Sequence, residues 1–140
     1  MAGAVHTSED VEAHLKAIRA ALREVPAGER QLSTAADSIE QKNREILREL
    51  SGDTILQKRN EPVPTSINDR VQAILEGERF SLAKPTQTHM DDYNIASAEF
   101  SDQLGKLHIL VEVDLAKLEK DMEAAGAPWT PGRVPDWSEK

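Results

Sequence analysis

Val11, Leu15, Ile18, Leu22 and Val25 succeed one another at steps of four, three, four and three. An α-helix brings residues at that spacing to one face, and so regular a stripe needs a partner helix to cover it. Pro26-Ala27-Gly28 ends the run, because proline disfavours a helical Val25 and lacks a backbone donor. The spacing resumes with Leu32, Ala36, Ile39, Asn43, Ile46 and Leu50 and stops at Ser51-Gly52-Asp53, where glycine suits the turn that closes helices. A connection of about three residues makes two such helices antiparallel. Residues 7–51 are therefore predicted to form a helical hairpin, with Thr7-Ser8-Glu9-Asp10 as the hydroxyl cap and acidic first turn.

The period then fails over residues 52–65, where Pro62-Val63-Pro64 favours an extended linker. Ser66, with Asp69 three residues on, resembles a capping arrangement. Ile67, Val71, Ile74 and Leu75 follow as the stripe of a short helix over 66–77. After a loop anchored by Phe80 and Leu82, the longest periodic segment runs over 86–125, with Thr86 or Thr88 as its cap and Gly126 closing it. Tyr93, Ala96, Phe100, Leu104, Leu107, Val111, Leu115, Leu118 and Met122 mark its expected buried face. Gly105 inside it signals a close crossing or a bend. Residues 126–140 hold Pro128, Pro131 and Pro135 with both tryptophans, so an extended Pro/Trp-containing C-terminal tail is expected. No strand pattern occurs. The fold class is all-α: one domain over residues 1–140, an elongated three- or four-helix bundle built of hairpin, short helix and long helix.

Composition narrows function. The chain of 140 residues carries a net charge of -8, which opposes nucleic acid or an anionic membrane as partner. Its apolar runs are far shorter than the roughly 20 residues that span a bilayer, so no membrane insertion is expected. Residues 1–10 contain no apolar signal-peptide core. With no cysteine, thiolate metal sites, disulfides and cysteine nucleophiles are excluded. No phosphate-binding glycine loop or nucleophile elbow occurs, and no cofactor is expected.

Few residues could carry chemistry. His6, His14, His89 and His108 show no helical pair at the spacing zinc requires. His89 with Asp91 and Asp92 could present an imidazole and two carboxylates to a divalent ion, yet acids are common in a first helical turn. Glu112, Asp114, Glu119, Asp121 and Glu123 alternate with Lys117 and Lys120, as on a solvated helix face and not across a glycosidase cleft. Asn43 falls at a seam position of its heptad pattern, or at the seam's edge if the helix is rotated slightly. A buried amide there fixes register or helix partner.

Three stretches have a family likeness. They are Arg59-Asn60-Glu61-Pro62-Val63-Pro64-Thr65-Ser66-Ile67-Asn68-Asp69-Arg70-Val71; Pro85-Thr86-Gln87-Thr88 with Tyr93-Asn94-Ile95-Ala96 and Glu99-Phe100; and Leu118-Glu119 with Ala124-Ala125-Gly126-Ala127-Pro128-Trp129-Thr130-Pro131-Gly132-Arg133-Val134-Pro135-Asp136-Trp137. In this order they resemble the extreme C-terminal region of large bacterial BNR-repeat, sortilin-like β-propeller proteins, often labelled glycosyl hydrolases. The resemblance implies an exported protein, periplasmic or extracellular, whose propeller blades precede this region and hold any hydrolase site. No family catalytic residue maps onto the chain.

The expected function is thus a non-catalytic structural or protein-interaction domain, its partner the parent propeller or a second copy. The alternatives are a metal-dependent or accessory domain of a glycoside hydrolase-like enzyme and a free-standing cytoplasmic helical adaptor. Trp129, Arg133, Trp137 and Asn43 are the candidate interaction residues. Trp129 is expected to fold back along the helices near Phe80, with Arg133 near an acidic face, because two free indoles in an aromatic-poor chain invite aggregation. The rival is that both indoles await the propeller as an exposed apolar patch.

Overall fold

The computed structural model describes residues 1–24, 29–53, 56, 58–59, 61–79, 85–128 and 130–131. Among them every regular element is helical: α1 (Ala2–Leu22), α2 (Glu29–Ser51), α3 (Ile67–Arg79), α4 (Gln87–Ile109), a π segment (Leu110–Leu115) and α5 (Ala116–Ala124). The last three follow without a break and form one long helix. α2 is the central element, packed against α1, α3 and the whole long helix, while α3 lies against α4.

The heptad stripes meet in the α1–α2 hairpin. Val11, Leu15, Ile18 and Leu22 are buried on α1, and Leu32, Ala36, Ile39, Asn43, Ile46 and Leu50 on α2. Helix α1 begins at Ala2, so Thr7 and Ser8 are not its cap. Ala4 and Ser8 extend the stripe backwards from Val11 at steps of three and four, and both are buried. Thr7 donates to the Gly3 carbonyl at 3.0 Å, within the helix. A hydroxyl near a run of acids reads as a cap only if nothing before it can be helical, and residues 2–6 can.

Helix α3 starts from a reciprocal cap. The Asp69 amide donates to Ser66 Oγ at 3.1 Å and the Ser66 amide to Asp69 Oδ2 at 3.2 Å, a capping box with aspartate in place of glutamate. Thr86, and not Thr88, caps α4, accepting from the His89 amide at 3.3 Å. At the other end Gly126 has φ 70, its amide donating to the Glu123 carbonyl and that of Ala127 to the Met122 carbonyl. Those two bonds are a Schellman closure.

The long helix departs from its expected phase. Its buried positions are Ala96, Gln103, Leu107, Leu110, Leu115, Leu118 and Met122. Tyr93 and Leu104 are exposed instead, and Val111 is half-buried while Leu110 takes the core position. The step of five from Leu110 to Leu115 coincides with the π segment, which adds a residue to the turn and carries the stripe across the gap. Gly105 marks no close crossing, for no atom lies within 4 Å of where its Cβ would stand.

Polar ties join the helices outside the core. Asp114 of the π segment accepts from Lys42 of α2 at 2.7 Å, and Glu119 faces His14 of α1 at 3.1 Å. These two acids therefore bridge helices, unlike the freely solvated face expected of them. Arg19 of α1 reaches Asp37 and Glu40 of α2. No described helix is long and apolar enough to cross a membrane.

A candidate interaction face on the long helix

Seven large apolar side chains are described as exposed: Leu75 on α3, and Met90, Tyr93, Ile95, Leu104, Ile109 and Val113 on the long helix. The six on the long helix are spread around its solvent side, over about 200° of arc. Ala96, Gln103, Leu107 and Leu110 turn one side towards α2 and the rest of the bundle. At 100° per residue the remaining side carries the six exposed residues. Tyr93, 62% exposed, borders the hollow beside Ile74 of α3, and Ile109, 56% exposed, borders a groove beside α2, about 160° round the helix from it. Between them lie the small exposed residues Ser97, Ala98, Ser101 and Gly105.

Two polar contacts run along this side of the helix. Lys106 Nζ meets Asp102 at 2.7 Å, and His108 Nε2 meets Glu112 at 2.8 Å. The hydrogen bond that Lys106 donates to Asp102 raises its ammonium above the ordinary 10.5 and keeps it charged. At the N-terminal end the face runs into a shallow apolar hollow of about 400 Å³ lined by Ile74, Pro85, His89, Met90, Tyr93 and Asn94. Large exposed apolar patches of this kind mark interaction sites.

The other concavities are different in kind. Two open grooves, about 730 and 510 Å³, lie between α2 and the long helix and share Lys42 and Asp114. The Lys42–Asp114 ion pair stands at their junction, and Arg48, Glu49 and Lys106 line the larger one. Mixed charges leave neither groove with a single electrostatic sign.

The residues singled out for chemistry do not converge. The His89 ring rests on Gly77 of α3, Asp91 accepts from Gln87 at 2.8 Å, and Asp92 points towards Arg70 at 3.8 Å. Among the described residues no group of three acids or histidines is placed to hold a metal ion. Asn43 is 2% exposed and is bonded to Ser8 of α1, so it acts inside the hairpin. Trp129, Arg133, Trp137 and Phe80 lie outside the described residues. Beside Trp129, Thr130 is buried, and Ala127 packs against the core.

The sequence pattern assigns Tyr93 and Leu104 to the core and passes over Ile109 and Val113. The signal that could have found the outer face is the mismatch between the stripes either side of residue 110: a single straight helix cannot bury both Leu107 and Leu115 without drift. Compared with protein-family models, curated proteins and solved structures, the chain matches none.

Proposed function

We propose that this chain is a non-catalytic structural and protein-interaction module that works through the outer face of its long helix. The observation carrying this reading is that six of the seven large apolar residues exposed among the described residues lie on the solvent side of the long helix. A chain with 30% charged residues has ample polar material to cover a helix that meets only water, and here it does not. The likeness of residues 59–71, 85–100 and 118–137 to the end of BNR-repeat, sortilin-like β-propeller proteins supports an exported parent of that kind. On this reading the partner is the parent's propeller or a second copy of the domain.

The test uses Tyr93, the single tyrosine of the chain. Its nitration rate is measured on dilute chain, alone and with the propeller part of the parent protein added. Protection of Tyr93 by the propeller, lost when Ile109 and Val113 are changed to lysine, is the expected result. An unchanged rate at saturating propeller would remove the propeller from consideration. Glycoside hydrolysis by the isolated chain would overturn the non-catalytic reading itself.

A further inference from the structure

We propose that docking of α3 sets the register of the long helix. With α3 seated, α4 is held in its present rotation across the π segment. With α3 loosened, the helix straightens and turns Leu104 and Val111 towards α2 in place of Gln103 and Leu110. The coupling holds whether or not a partner covers the outer face. Its basis is that this helix carries two overlapping seams. On a straight α-helix, Phe100, Leu104, Val111, Leu115, Leu118 and Met122 fall within about 60° of arc. The structure buries Leu115, Leu118 and Met122 of that series, but leaves Leu104 47% exposed and Val111 half-buried. A π turn takes up one residue more than an α turn. Residues before it are therefore rotated by about 100° from where a straight helix would put them. Each seat against α2 is filled by the residue one position earlier.

Against α2 alone the straight register is the better one. The present register buries Leu110 where the straight one buries Val111, a small difference in apolar volume. It also buries Gln103, 8% exposed, whose amide donates to its own neighbour Asp102 at 3.3 Å. The straight helix puts Leu104 in that seat and has no π turn to maintain. What holds the present register comes from α3. Arg70 points at Asp92 (3.8 Å) and Glu99 (3.4 Å), and the His89 ring rests on Gly77. His89, Asp92 and Glu99 all precede the π segment, so the slip would carry them off their α3 partners. Beside Arg70 it would exchange the two carboxylates for Tyr93 and Phe100, leaving a half-buried guanidinium without those charges. Helix α3 thus favours one register and α2 the other, which is the condition for a two-state element.

The chain has no cysteine, so Leu104→Cys places a single thiol at the deciding position. That thiol is open to solvent in the present register and covered by α2 in the straight one. Loosening α3 should therefore slow its labelling by an aromatic disulfide reagent, whereas a general loss of structure can only speed it. Arg70→Ala leaves the apolar core whole, and Ile67→Ala truncates a buried α3 side chain. Both should slow the labelling, the second by at least about twofold, as when half the molecules change register. Adding Gln103→Leu, which fills the present seat with an apolar side chain, should restore the faster rate. In the same α3 variants the thiol of Leu110→Cys, at a position buried in the parent, should label faster. A position-104 thiol that labels at an unchanged or higher rate in both α3 variants overturns the proposal. So does a slowing that Gln103→Leu leaves in place.

Discussion

Ser8 and Asn43 form a closed pair across the hairpin: the Ser8 hydroxyl donates to Asn43 Oδ1 at 2.7 Å, and Asn43 Nδ2 donates back to the Ser8 carbonyl at 2.8 Å. Both residues are buried among Ala4, Val11, Ile39 and Ile46 of the hairpin core. A slip of one heptad would leave an amide and a hydroxyl facing aliphatic side chains, so the pair fixes which turn of α1 meets which turn of α2.

Removing one partner should therefore cost more than removing both. Asn43→Ala leaves the Ser8 hydroxyl without its acceptor, and a loss of about 1–3 kcal/mol is expected. The double change Ser8→Ala with Asn43→Leu should recover most of it, and it can exceed the parent in stability while relaxing register. Urea unfolding of the parent, Ser8→Ala, Asn43→Leu and the double variant closes a double-mutant cycle and gives the coupling. Additive losses would show that the bonds contribute no pairwise stability.

Leu107 and His108 are neighbours with opposite surroundings, one 3% exposed in the core and the other at the surface beside Glu112. Leu107→Ala should lower stability by about 2–5 kcal/mol. His108→Ala should lower it by well under about 1 kcal/mol, the usual scale for an exposed pair. Thermal melts of the two variants, run side by side, read the difference directly.

Gly77 and His89 join α3 to α4. A Cβ on Gly77 would lie 2.8 Å from both Cε1 and Nε2 of the imidazole. Gly77→Ala improves helix propensity by up to about 1 kcal/mol, but the ring must move aside. The gain should be small or reversed in the parent chain and fully expressed in the His89→Ala background. Equal gains in both backgrounds would mean that the ring shifts freely.

Alkaline pH should expose the Asp102–Lys106 pair. The hydrogen bond to Asp102 raises the folded-state value of Lys106 above 10.5, so the pair's contribution is complete below the unfolded value. It is lost as pH climbs through the folded value. The melting-temperature difference between the parent and Lys106→Gln should be small and constant at neutral pH and shrink once pH passes 10.5. A difference that grows with pH would reverse the assignment.

The hairpin is readable from sequence because its information is periodic and local. Leu15, Ile18, Ala36 and Ile39 sit where a heptad count puts them, and Gly52 and Gly126, with φ 85 and 70, stop helices as their chemistry requires. Ser66 and Asp69 likewise announce the start of α3. The start of α1 is misread because Ser8 has two uses, cap or seam, and only the α2 residue opposite decides between them. The outer face is hidden for a similar reason. Tyr93 and Leu104 are apolar, and apolar residues at helical spacing read as core until the position of α2 shows which side is covered. Asn43 is legible as a seam residue, but its partner is not, since a contact 35 residues away in sequence leaves no local trace.

The π segment has a consequence for the length of the chain. Counting along the seam of the long helix from Gln103, the steps are four, three, five, three and four, ending at Met122. Remove one residue between Leu110 and Leu115 and they become four, three, four, three and four, an uninterrupted heptad series. The seam is thus one residue longer than a straight helix can carry, and the surplus is stored in a single turn. A one-residue deletion inside that turn should leave every core residue on its face, whereas the same deletion elsewhere between Gln103 and Met122 would swing everything beyond it by about 100°. Near residue 112, then, this helix tolerates a change of length that its other turns do not.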